Sequence, residues 1–115
     1  MGATLELLYA AMREIDAQSM KYEHEHRRLS PPYGSVAVGG AHMDPFFRAE
    51  GLRGFLRGLR DKKSPEEAEQ MGCEAGAFAI NKWNNSRLDY VVHRWEKSVD
   101  SVVRSARQKI EAILQ

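Results

Sequence analysis

Cysteine is nearly absent: Cys73 is the single one in 115 residues. That excludes an internal disulfide framework and any multi-cysteine zinc site. A reducing, cytoplasmic setting is the expected one. Long apolar runs are missing too, and none approaches the roughly 20 residues a membrane-spanning helix needs. The first residues lack a basic region followed by an apolar core, so no secretory signal is expected. Charge of one sign is also lacking. Seventeen Lys and Arg face sixteen Asp and Glu for a net +1, which directs the chain as a whole to neither nucleic acid nor membrane. No segment shows convincing strand alternation.

What is present reads as four helices in one domain, residues 1–115, with a small core. The first helix is expected over residues 4–28. Leu5, Leu8, Met12, Ile15, Ser19 and Tyr22 recur at spacings of three and four, Thr4 is a candidate N-cap, and Ser30-Pro31-Pro32 ends the helix. The second, over 45–61, starts with Asp44 as N-cap and Pro45 at the first helical position. Its apolar stripe is Leu52, Phe55, Leu56 and Leu59. Gly51, Gly54 and Gly58 make it dependent on tertiary packing.

The third helix, over 65–83, has a capping box at Ser64 and Glu67. Its small residues, Gly72 with Gly76 and Ala75 with Ala79, predict a close helix–helix contact. Its acidic residues could neutralise the arginines of the second helix. The last helix, over 87–114, follows a break and cap at Asn84-Asn85-Ser86. Leu88, Val92, Trp95, Val99, Val102 and Ala106 form a near-heptad seam continued by Ile110 and Ile113, with Val91 and Val103 widening it. At about 40 Å, this helix needs partners along its whole length. The first helix can cover it, and the second and third can cover the rest as a hairpin. The expected fold is an all-α four-helix bundle.

Residues 30–43 form a long Pro- and Gly-containing connection. It reads as a native crossing pinned by Tyr33 and Val36 or Val38, or as a partner-binding loop. A third reading takes Gly-Ala-His-Met at 40–43 as the remnant of a tag-cleavage sequence. Residues 1–43 would then be a tag-derived or tethered segment.

Catalytic chemistry finds little support. Within Glu23-His24-Glu25-His26 the two histidines point about 200° apart on a helix and cannot share an ion. Glu23 with Arg27 is an ordinary ion pair. Cys73 sits among small residues with no basic group near it in sequence. No phosphate-binding glycine loop is present. No enzyme activity, cofactor or metal is expected.

The strongest local signal is RAEGLRGFLRGLRDKK. Arg48, Arg53, Arg57, Arg60, Lys62 and Lys63 face only Glu50 and Asp61. Arg53, Arg57 and Arg60 share a helical face that can meet phosphates or an acidic protein surface. Trp83 is the better of the two tryptophans for a rim contact, Trp95 being expected in the core. The expected function is therefore that of a small helical protein–protein interaction module: an adaptor, an inhibitor, or an assembly subunit that dimerises through the last helix. Its candidate partner-binding residues are Arg53, Arg57, Arg60, Lys62, Lys63 and Trp83. The alternative is a nucleic-acid-binding regulator or ribonucleoprotein subunit that grips RNA or DNA backbone through the arginine helix. An apolar stripe left exposed after packing would favour the first.

Overall fold

The computed structural model describes residues 2–30, 42–83 and 89–115. Four helices account for nearly all of them: α1 (Gly2–Leu29), α2 (Asp44–Arg60), α3 (Pro65–Trp83) and α4 (Asp89–Leu114). They pack as an all-α bundle around one core to which every helix contributes. The proposed pins Tyr33, Val36 and Val38 lie outside the described residues. So do the Asn84-Asn85-Ser86 break, Arg87 and Leu88.

Two expected caps are corrected. Helix α1 begins at Gly2, so Thr4 lies inside it rather than capping it. Helix α2 begins at Asp44 after a short 3₁₀ turn, with Met43 at the cap position and no side-chain cap bond. The Asp44 carboxylate instead pairs with Arg48 at 2.9 Å and accepts a hydrogen bond from Ser98 of α4 at 3.3 Å. The capping box of α3 forms as expected: the Glu67 N–H donates to Ser64 Oγ at 3.1 Å, and the Ser64 N–H donates to the Glu67 carboxylate at 3.2 Å. These bonds hold the Glu67 carboxyl below its ordinary value. At the end of α1 the Ser30 hydroxyl donates to the His26 carbonyl at 2.6 Å.

The expected division of labour among helices is also corrected. Helices α2 and α3 pair as the expected hairpin against α4, but α2 is also the centre of the bundle, and α1 covers it more than it covers α4. Phe47, Ala49, Leu52, Phe55 and Leu56 are fully buried, and α2 packs against each of the other three helices. Its most extensive contact is with α3, while α1 lies chiefly on α2 and secondarily on α4. The reason is the glycine content of α2. A Cβ on Gly58 would meet Ala68 at 2.8 Å, and one on Gly72 would meet the Gly51 carbonyl at 2.7 Å. Only glycine permits that approach of two backbones, and the facing Ala75 and Ala68 are the next smallest residues available.

The seam of α4 is centred slightly differently from its expected line. Val91, Trp95, Val99, Val103, Ala106 and Ile110 are buried, whereas Val92, Val102 and Ile113 lie half-buried at its edge. Val91 and Val103 are thus the middle of the stripe. A four-residue step drifts with a straight helix, so this stripe winds around α4 to meet α2 and α3 rather than following a coiled-coil line.

Candidate functional site

The arginine helix divides into an engaged half and a free half. Arg53 is half-buried and pairs with Glu23 of α1, and it lies 3.5 Å from Glu50 of its own helix. The same pairing holds the Glu23 carboxyl below its ordinary value, Arg53 being the main cause and Arg27, at 2.8 Å, a lesser one. Arg48 is tied to Asp44 and Ser98 and lies 5.4 Å above the Tyr22 ring centre. Arg57, Arg60, Lys62 and Lys63 are exposed and form no ion pair among the described residues. Among the described residues no acid of α3 forms an ion pair with them, although Lys63 lies close enough to Glu67 to act on its carboxyl. Glu69 turns instead to Arg107 of α4 at 2.9 Å, and Arg107 also reaches Glu111 at 3.2 Å.

The free half ends in an unusual turn. The Lys63 N–H donates to the Gly58 carbonyl at 3.0 Å and the Lys62 N–H to the Leu59 carbonyl at 3.1 Å. This is the Schellman pattern, whose turning residue takes a left-handed backbone and is usually glycine. Here Lys62 takes it, with φ at 65°.

Beside this turn a concavity of about 300 Å³ opens between α1, the end of α2 and the end of α4. Leu8, Met12, Leu59 and the buried Ile110 form its floor. Leu5, Tyr9 and Leu114 form its sides and remain 48%, 47% and 51% exposed. Arg60, Lys62 and Lys63 line the same concavity. The structure therefore brings three of the six expected partner-binding residues to one apolar groove. Arg57 stays on the adjoining surface, and Arg53 is drawn away to α1.

Trp83 belongs elsewhere. It is half-buried, edge-on to Trp95 at 5.4 Å and to Phe47 at 6.4 Å between ring centres. Its outer side faces a second concavity with Met43, Phe46 and Phe78, the last 70% exposed. This end also holds a cluster that sequence spacing did not reveal. The rings of His26 and His42 stack at 5.9 Å, His26 lies 5.2 Å from Phe46, and His26 Nδ1 is 2.7 Å from the His42 carbonyl.

No family model matches the chain, and no curated protein or solved structure matches it.

Burial, aided by Asp100, pushes the Cys73 thiol up to about 12, which leaves almost no thiolate to act as a nucleophile. Among the described residues no group of three or more His, Cys, Asp or Glu is placed to hold a metal ion. No helix among them is long and apolar enough to cross a membrane. The groove sides Leu5, Tyr9 and Leu114 were missed in sequence because helix periodicity assigns Leu5 to the packed face and cannot say where that face ends. The one available signal was Asp61-Lys62-Lys63, a helix end without the usual glycine.

Proposed function

We propose that the chain is a non-enzymatic protein-interaction module that receives a protein partner in the apolar groove between Leu5, Tyr9 and Leu114, rimmed by Arg60, Lys62 and Lys63. The carrying observation is that groove: large apolar side chains left exposed after four helices have packed, next to cations that form no ion pair among the described residues. An apolar centre with a charged edge is the usual anatomy of a protein interface. Lys62 adds support. A left-handed backbone is unfavourable for a residue with a Cβ, and strain of this kind gathers where a side chain is needed. A cytoplasmic setting fits the single free thiol. Dimerisation through α4 has weaker support, since Trp95, Val99, Val103 and Ile110 are spent inside the bundle.

The nucleic-acid reading draws on the same free cations, Arg57, Arg60, Lys62 and Lys63. Leu5, Tyr9 and Leu114 weigh against it, because phosphate backbone gains little from an apolar floor.

The test places a photo-crosslinking phenylalanine analogue at Tyr9 and irradiates the protein in extract of its source cells. A discrete protein adduct that vanishes when Leu5→Asp is added supports the reading. Adducts to nucleic acid, or adducts unaffected by Leu5→Asp, contradict it.

A further inference from the structure

Helix α1 takes no part in the glycine contacts that join the other three. Its buried residues are Ala11, Ile15 and Ser19, one per turn along a single line. The Ser19 hydroxyl donates to the Asp16 carbonyl of its own helix at 2.7 Å. The fully buried line is one isoleucine between two small residues, with Leu8, Met12 and Tyr22 half-buried against the core beside it. Its edges are charged or polar: Glu23 with Arg53, Glu14 with Lys109 at 3.2 Å, and Tyr22 beneath Arg48. An apolar line with ionic edges is how an amphipathic helix lies in a groove.

The other three helices interlock through backbone. The nearest neighbours of Gly51, Gly54, Gly58, Gly72 and Gly76 all come from α2, α3 and α4. The largest fully buried side chains, Trp95, Phe47 and Phe55, also lie there. Packing of α1 against α3 is at most marginal. The link from α1 to α2 spans residues 30–43, and covalent connection makes the docking of α1 intramolecular, at an effective concentration on the order of millimolar for a link of short length. A weak contact is then enough to keep α1 in place.

We infer that the face of α2 and α4 beneath α1 is a helix-receiving surface. The three-helix unit α2–α4 is the receptor and α1 its tethered guest. The partner it fits is an amphipathic helix with a small–isoleucine–small line at four-residue spacing and a carboxylate one turn beyond, where Arg53 meets it. Such a helix, presented by another protein, competes with α1 for the surface. The groove reading concerns the other state of the chain: Leu5, Leu8, Tyr9 and Met12 line that groove only while α1 is seated, whereas this surface opens when α1 leaves it. Crosslinking from position 9 tests the first, and exchange of α1 tests the second.

Native-state hydrogen exchange on the intact chain gives the first test. The expected result is a partial opening in which α1 amides exchange about a hundredfold faster than the slowest amides of α2–α4. Equal protection across all four helices, lost together in one denaturant-dependent opening, overturns the inference. The second test places a specific protease site within residues 31–41 and cuts the folded protein there. Labelled peptide 2–30 should then exchange into the cut protein saturably, and the Ile15→Asp peptide should bind about fiftyfold more weakly or worse. Failure of the wild-type peptide to exchange overturns the inference. So does loss of the near-ultraviolet circular dichroism of Trp83 and Trp95 when the α1 fragment is removed.

Discussion

A Cβ placed on Gly54 of α2 would lie 2.7 Å from the Cβ of Ala75 on α3, and 2.9 Å from the Met71 carbonyl. Neither neighbour is the end of a flexible side chain, so neither can step aside. Gly54→Ala should therefore destabilise the protein although it improves helix propensity by about 1 kcal/mol. Overpacking a tight contact costs about 1–3 kcal/mol, which leaves a net loss on the order of 1 kcal/mol. Urea denaturation should show a lower midpoint. Gly2→Ala is the control, since a Cβ there meets nothing within 4 Å.

The same contact shows what sequence reading could reach. Gly72, Gly76 and Ala75 announced a close approach because helical spacing puts small residues on one side, and the structure sets α2 against Gly72 and Ala75 and Val99 of α4 against Gly76. Periodicity likewise located α3 and its capping box, which depend on residues three apart. It could not rank the helices by burial, because burial depends on which neighbours a face finds. Arg53 shows the limit most clearly. Its spacing groups it with Arg57 and Arg60, but its partner Glu23 is thirty positions away on another helix. The stacking of His26 on His42 was hidden for the same reason.

Lys62 offers a prediction in which stability and binding move in opposite directions. A left-handed residue with a Cβ costs about 1–2 kcal/mol relative to a right-handed one, and glycine avoids that cost. Lys62→Gly should raise stability, by about 1 kcal/mol after the extra entropy of the unfolded glycine is counted. It should also weaken partner binding, because it removes a cation from the groove edge. Thermal unfolding together with crosslinking yield from position 9 measures both. A rise in stability with unchanged binding would remove Lys62 from the interface.

Glu23 and Arg53 should make part of the stability pH-dependent. A carboxyl held below its ordinary value of 4.5 by a folded-state partner contributes stability that is present above that value. The contribution disappears as pH falls through the folded value, where both states carry the proton. Glu23→Gln should therefore lower the urea midpoint at pH 7, and the gap between variant and parent should narrow by pH 3. Glu67 is held low by Ser64 in both proteins and cancels from the comparison. A gap independent of pH would mean that packing, not charge, accounts for the loss.

Cys73 should react slowly. With its thiol pushed up to about 12 by burial and by Asp100, thiolate at pH 8 is scarce. Alkylation by iodoacetamide should run at least about a hundredfold slower than that of a free cysteine with its ordinary value near 8.5. Asp100→Asn removes the nearest negative group and should speed the reaction. Equal rates in the two proteins would make burial alone responsible.

Nucleic-acid binding can be judged by its salt dependence. Each phosphate neutralised on duplex DNA steepens the logarithmic salt slope by about 0.9. Arg53 is already committed to Glu23 and Glu50, which leaves Arg57, Arg60, Lys62 and Lys63 to meet phosphates. If these four act together, the slope should be no steeper than about −4. The proposed function predicts no measurable binding of short RNA or DNA near physiological salt, with only weak association at low salt. The useful control replaces those four residues with Ala and leaves Arg53 intact, because changing Arg53 also breaks its bond to α1. Tight binding with a slope near the four-cation limit, abolished in that variant, would make the nucleic-acid reading the primary one. Absence of binding in both proteins would remove the nucleic-acid reading and leave the proposed protein-binding groove to be tested by crosslinking from position 9.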